Sequence, residues 1–221
     1  PSTAGGVGLL SEGVQETQPP APREFDVHIV DADAAKAANR FMHIANTAPG
    51  GKEGARPLVE AASFLSRLAA LPSGVRHLSE HLADLDVSVR TRAAFDWPGH
   101  MGAVLEFDRN VGVGDNRPAL MECLDRSSRL FANYHEATPF AHKLASLVAT
   151  VATSKKRSVA IVFTNALYLR LAERFLVGYG QYPEGATYDS LHERIHLLSA
   201  PHLEDHLEEL QGSTLVFAGL N

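Results

Sequence analysis

The chain has one cysteine, no long apolar run and no surplus of basic residues. A lone Cys123 excludes an intrachain disulfide and a zinc site built from several cysteines. No stretch reaches the roughly 20 apolar residues of a membrane-spanning helix, and the N-terminus lacks the basic and apolar regions of a signal peptide. With 20 Lys and Arg against 26 Asp and Glu, a nucleic-acid-binding face is not expected. We therefore expect a protein of the cytoplasm or of an assembled particle, with no membrane or nucleic acid as direct partner.

The first two dozen residues differ in composition from the remainder. They contain four glycines and four prolines, no aromatic residue and no helical or strand period. Such a segment buries too little apolar surface to offset the entropy lost on ordering. We predict an extended arm over residues 1–24, anchored on an adjacent subunit by Leu9, Leu10 and Val14, and a globular domain over residues 25–221.

Hydrophobic residues make up 45% of the whole chain, which is enough for a sizeable core in the globular part. Apolar residues recur mainly with the helical period, and several helices have a starting signal, such as Pro57, Ser73, Thr138 and Thr164. Five short segments have strand patterns: Phe25 to Ile29, Val87 to Arg92, Ala103 to Asp108, Ser158 to Phe163 and Ser213 to Ala218. The sequence predicts a helix-rich α+β single domain with few strands, long loops and an extended N-terminal arm.

The last two of these strands are apolar throughout, unlike the others. The runs SVAIVF and STLVFA have no polar alternation, which is typical of strands covered on both faces. Helical segments separate them along the chain. We therefore predict that they are neighbouring, largely buried strands.

One run of residues has the spacing of a metal site. His192-Glu193-Arg194-Ile195-His196 is an H-E-x-x-H pattern, in which a helix brings both histidines to one zinc ion and the glutamate activates a water molecule. His202 lies where the metzincin metalloproteases have their third ligand, so the run HERIHLLSAPH resembles that family's motif. The resemblance implies a zinc metallopeptidase, although Ser199 replaces the family's glycine.

The same residues have a structural interpretation. Ser190 and Glu193 have the spacing of a capping box, and Leu191, Ile195 and Leu198 would form the apolar face of the helix that follows. Ser199 would then cap a second helix. On this interpretation, which we favour, His192, His196 and His202 lie on two separate helix starts and do not converge on a metal.

Two further patterns concern nucleotide and phosphate chemistry. The runs PFAHKLASLV and AIVFTNALYLRLAERFL, within Thr138 to Asn221, resemble the opening of the second RecA-like domain of superfamily 2 helicases. Gly50-Gly51-Lys52-Glu53 lacks the distal glycine and the Ser or Thr of a Walker A motif, so the resemblance implies a module without ATPase activity. Asp31 and Asp33 could together hold magnesium, but we interpret Asp33 as a helix cap.

The predicted function is that of a non-enzymatic structural or assembly subunit of a large complex, such as a viral capsid, shell or scaffold protein. Its partners would be copies of the same or a related chain. We assign no catalytic residue, no cofactor and no metal ligand. Two alternatives remain open at this stage: a RecA-like interaction module of a helicase-type machine, and a zinc metallopeptidase that uses the HERIHLLSAPH run.

Overall fold

Helices predominate, and a small sheet follows them near the end of the chain. The structure is a computed structural model that describes residues 32–84, 89–154, 158–183, 186–206, 208–210 and 213–218. Within these ranges the helices are α1 (Ala32–Thr47), α2 (Gly51–Gly54), α3 (Arg56–Ala69), α4 (Val75–Asp84), α5 (Val89–Ala94), α6 (Trp97–Asn110), α7 (Arg117–Asn133), α8 (Pro139–Thr153), α9 (Ala166–Gly178) and α10 (Tyr188–Leu191). The predicted helix-rich α+β single domain is confirmed. The predicted arm at residues 1–24, the predicted strand from Phe25 to Ile29, and Asp31 lie outside the described residues.

The strands form one parallel sheet. They are β1 (Val159–Phe163), β2 (Ile195–Ser199) and β3 (Thr214–Ala218), in the order β2-β1-β3. Both outer strands run parallel to β1. All five residues of β1 are buried, as expected for the central strand of a parallel sheet. The predicted pairing of the two apolar strands is confirmed, but β3 is not largely buried.

The helical core forms around α1 and α3, which pack along one another. Pro57 lies in the first turn of α3, and the apolar residues that follow at spacings of three and four are buried on one face. Phe41 and Phe64 are fully buried here, and Trp97 at the start of α6 stacks on Phe64 with 5.3 Å between ring centroids. The Trp97 indole Nε1 donates a hydrogen bond of 3.1 Å to Ser128 Oγ on α7, so the aromatic cluster joins α1, α3, α6 and α7.

The start of α4 is hydrogen-bonded to the residues that follow α7. The backbone N–H groups of Val75 and Arg76 donate to the carbonyl oxygens of Tyr134 and His135, each at 2.9 Å. Free N–H groups at the start of α4 are thus paired with the carbonyl oxygens of the two residues that follow α7. Ser73, predicted to cap α4, instead donates its hydroxyl to the Gly74 carbonyl oxygen at 3.1 Å. The predicted cap is replaced by this backbone contact.

Two other helix starts can be compared with the prediction. Thr138 caps α8 as predicted, because its hydroxyl oxygen accepts a 3.0 Å hydrogen bond from the backbone N–H of Ala141. For α9 the predicted cap was Thr164, but Asn165 has this role, with Oδ1 accepting from the Tyr168 backbone N–H at 2.9 Å.

Two predicted strands are helices. The segment predicted as a strand from Ala103 to Asp108 lies within α6, and the described part of the segment from Val87 to Arg92 belongs to α5. Asp96 caps α6 by accepting from the Gly99 backbone N–H at 3.1 Å, and Pro98 occupies its first turn. The short alternation of apolar residues coincides with a helical face on which Val104 and Phe107 are buried while Leu105 is exposed.

A predicted helix is a strand. The residues from Ile195 to Ser199, which we predicted to continue a helix, form β2 and pair with β1 along its whole length. The spacing of Leu191, Ile195 and Leu198 fits both structures. The tertiary context decides the outcome here, since β1 needs a hydrogen-bonding partner on this side.

Candidate functional site

A shallow, open cleft of about 590 Å³ lies at the carboxyl end of β1. Thr164 and Asn165, which directly follow the strand, line it together with Arg67 from the last turn of α3. Phe95, just after α5, and Tyr168 in the first turn of α9 provide aromatic walls; Thr91 and Leu167 complete the lining. In α/β proteins with an open parallel sheet, ligands bind at the carboxyl ends of the strands. The position of this cleft is therefore that of a ligand site in α/β proteins.

Arg67 is the one charged residue among the described residues that line the cleft. Its Nη2 donates a 2.9 Å hydrogen bond to the Ala94 carbonyl oxygen, and its guanidinium lies 5.8 Å from the centroid of the Phe95 ring. Its Nε is buried and has no hydrogen-bond partner among the described residues. Burial lowers the pKa of Arg67 from its ordinary value, with weaker opposing effects of Tyr168 and Glu60. The guanidinium is thus a partly dehydrated cation without a carboxylate in contact in the described chain.

Tyr168 lines the cleft and connects two of the helices that form it. Its hydroxyl donates a 3.2 Å hydrogen bond to the backbone carbonyl oxygen of Arg67 and so joins α9 to α3. Burial raises the pKa of Tyr168 to about 12, while the nearby charge of Arg67 acts in the opposite direction. The phenol is therefore protonated at neutral pH, and it serves as a hydrogen-bond donor and apolar wall rather than as an acid or base.

The described lining has one cationic group and several neutral polar groups. A guanidinium, the hydroxyl of Thr164 and the amide of Asn165 lie at the rim, while no carboxylate and no histidine is found among the described lining residues. General acid–base catalysis needs a group that titrates near the working pH. A guanidinium beside neutral polar groups suits the binding of an electron-rich group.

The sheet has a second exposed feature, the outer strand β3. From the register, Leu215 and Phe217 project on the same face as Ala160 and Val162 of β1. The two β1 residues are buried, whereas Leu215 is 43% and Phe217 50% exposed. On the opposite face, Val216 packs against the core. Apolar side chains on this face of β3 are therefore accessible to another molecule.

The HERIHLLSAPH run does not form the helix that a metallopeptidase motif requires. His192, Glu193 and Arg194 form a 3₁₀ turn, while His196 lies on β2 and His202 on a further 3₁₀ turn. Two histidines four residues apart share a metal only when a helix places them on one face. Among the described residues, no group of three or more His, Cys, Asp or Glu side chains is placed to hold a metal ion.

The local contacts of this run also differ from the prediction. The capping box is formed by Thr187 and Ser190 at the start of α10, not by Ser190 and Glu193. His192 Nδ1 lies 2.6 Å from the Asp189 carbonyl oxygen, and His202 Nδ1 lies 3.6 Å from an Asp205 carboxylate oxygen. The two histidines thus have separate local partners.

The remaining candidates have structural roles. Asp33 is an exposed residue in the first turn of α1, where it accepts a 2.6 Å hydrogen bond from Arg126, so it is not the cap that we predicted. Cys123 is buried as expected, with Sγ 3.5 Å from the Ala37 carbonyl oxygen, and burial raises the pKa of its thiol to about 11. Gly51, Lys52 and the following Glu53 belong to the short helix α2.

Sequence reasoning missed the cleft because its residues come from distant parts of the chain. Arg67 was one position on a helix, and Phe95 was adjacent to a segment interpreted as a strand. A signal was nevertheless present: the apolar run that forms β1 ends at two polar residues, Thr164 and Asn165. In a parallel sheet, such residues mark the edge where ligands bind.

No helix of the described chain is sufficiently long and apolar to cross a bilayer. No protein-family model, no curated protein and no solved structure matches the sequence or the fold of this chain.

Proposed function

We propose that the chain is a non-enzymatic subunit of a protein assembly, and that β3 contacts another copy of the same chain. The observation that supports this proposal is the accessible apolar face of β3, formed by Leu215 and Phe217. Parallel strands are normally covered on both faces, and an apolar strand at the margin of a sheet is a surface that proteins cover or use. Accessible apolar patches commonly mark binding sites.

The energetics of such a contact are favourable but modest. Complete burial of a Leu or Phe side chain contributes roughly 1.5–3 kcal/mol. Because Leu215 and Phe217 are already about half covered, burial of the remainder contributes about 1 kcal/mol for each side chain. A twofold contact uses both residues from both copies. This gain assists an interface but needs additional contacts, which the predicted N-terminal arm at residues 1–24 would provide.

The test is analytical ultracentrifugation of the complete chain over a range of concentrations. We expect the wild type to sediment above the mass of a single chain and to dissociate on dilution. The double variant Leu215→Ser, Phe217→Ser should shift this equilibrium towards the monomer, and deletion of residues 1–24 should do the same. Val177→Ser is the matched control, because Val177 is an apolar residue on α9 that is 57% exposed.

Two results would contradict this proposal. One is a wild-type protein that remains a monomer at every concentration. The other is an assembly that both the β3 variant and the arm deletion leave unchanged. Circular dichroism of each variant establishes that the fold is retained, which separates a lost contact from unfolding.

A second candidate is a RecA-like interaction module without ATPase activity. It is favoured by the parallel pairing of β1 with β3 and by the packing of α9 on the sheet. Because one fold serves many functions, this arrangement alone does not assign one. The two candidate functions predict different sedimentation behaviour. A module that docks onto a different protein should be monomeric when it is alone, and its β3 variants should sediment as the wild type does.

A further inference from the structure

We propose that the cleft at the carboxyl end of β1 binds a small organic anion, whose phosphate or carboxylate group contacts Arg67 and whose flat apolar part lies between Phe95 and Tyr168. This inference is independent of the assembly proposed above. It adds a ligand site to a chain for which we assign no reaction.

The charge of Arg67 is the first argument. A cation taken partly out of water is costly unless it has a partner. Here the guanidinium has one hydrogen bond, to the Ala94 carbonyl oxygen, and lies over the Phe95 ring, but Nε has no hydrogen-bond partner among the described residues. Arginine presents its N–H groups as a fork that matches the oxygens of a carboxylate or phosphate. An anion in the cleft would supply the missing countercharge.

The geometry of the cleft is the second argument. Its volume of about 590 Å³ lies within the range of roughly 300–1,000 Å³ that is usual for small-molecule sites. Thr164 and Asn165 add neutral donors at the rim, and no acidic side chain of the described lining would repel an anion. Polar groups at one end and aromatic walls beside them fit a ligand with an anionic group on a ring.

The rigidity of the walls is the third argument. Tyr168 donates to the backbone carbonyl oxygen of Arg67, and Asn165 caps α9 through the Tyr168 backbone N–H. Three sides of the cleft are thus connected by hydrogen bonds before any ligand arrives. A site whose walls are fixed in advance loses less entropy on binding.

The experiment is a calorimetric titration of the complete chain with phenyl phosphate, with inorganic phosphate and benzoate titrated in parallel. We expect saturable binding of phenyl phosphate and weaker binding of inorganic phosphate, which has no ring. Benzoate shows whether a carboxylate replaces the phosphate. Arg67→Gln should weaken phenyl phosphate binding about tenfold or more, since it removes a charge-assisted contact.

Arg170→Gln is the matched control, because it removes the same charge from an exposed position on α9; its affinity for phenyl phosphate should stay within about twofold of the wild type. Should Arg67→Gln fail to fold, Arg67→Lys retains the charge but not the fork, and it should still weaken binding.

The proposal is overturned if phenyl phosphate does not saturate, or if the Arg67 and Arg170 variants bind it equally well. A single-stranded oligonucleotide is titrated as a further probe. If it binds in an Arg67-dependent manner while phenyl phosphate does not bind, the cleft is a nucleic-acid contact and the small-molecule proposal is wrong.

Discussion

Replacing Gly74 by alanine tests the close contact between the start of α4 and the end of α7. A Cβ atom at this position would lie 2.2 Å from both the carbonyl carbon and the carbonyl oxygen of Glu136, and 2.4 Å from the His135 carbonyl oxygen. These are backbone atoms, so no side chain can rotate to make room. To restore ordinary contact distances, the two segments must separate by about 1 Å.

The cost of this separation can be worked out from the contacts that it disturbs. The Val75–Tyr134 and Arg76–His135 backbone hydrogen bonds, both 2.9 Å, cross the same junction. Each contributes roughly 0.5–1.5 kcal/mol to stability, and overpacking adds about 1–3 kcal/mol of strain. We therefore expect Gly74→Ala to lower the free energy of unfolding by roughly 2–6 kcal/mol.

Urea unfolding followed by circular dichroism measures this change, with extrapolation to zero denaturant. Gly102→Ala is the control, because Gly102 lies within α6 and an added Cβ meets no atom within 4 Å. Alanine is the better helix former there and should stabilise the protein by about 0.5–1 kcal/mol. A Gly74→Ala protein with the same urea midpoint as the wild type would refute the reasoning, and so would an equal loss of stability in the control.

Three other expectations can be checked on the same protein. Because Cys123 is buried and the pKa of its thiol is raised to about 11, the native protein should react slowly with a thiol reagent at pH 8 and release one equivalent once unfolded. Ser128→Ala removes the hydrogen-bond partner of the buried Trp97 indole, which should lower the free energy of unfolding by about 1–3 kcal/mol; retention of the wild-type stability would contradict this. Burial lowers the pKa of His77, so the unfolded chain takes up its proton first and stability should fall as the pH drops below about 6.5. His77→Phe should flatten this fall, which denaturation at several pH values measures.

The elements that the sequence predicted well are those with local signals. Pro57 and Thr138 mark helix starts that need no distant partner, and the run from Ser158 to Phe163 is too short and too apolar for a surface helix. The helix α6 was missed because Ala103, Leu105 and Phe107 alternate over five residues, which is too short a window to separate the two periods. The capping by Asp96 was the overlooked signal.

The errors at β2 and at the cleft have a tertiary cause. Ile195 and Leu198 fit a helical face, but pairing with β1 determines the backbone there. Arg67 becomes part of a site only because α3 ends beside the first turn of α9, where Tyr168 contacts its backbone. No local pattern encodes that contact, so Thr164 and Asn165 could have indicated the edge of the sheet, but not the part that Arg67 has in the lining.

The order of the strands along the chain also determines when they can form during synthesis. The helices α1, α3, α6 and α7 all precede β1 and pack on one another, so they can fold before β1 is synthesised. Val159 in β1 pairs with Ile195 and with Thr214, and both of these residues are synthesised much later. Until then, neither side of β1, the apolar segment VAIVF, has its strand partner in the nascent chain. Apolar segments with unpaired backbone N–H and C=O groups readily pair with other chains. The nascent chain is therefore most prone to aggregate in the interval between the synthesis of β1 and that of β3.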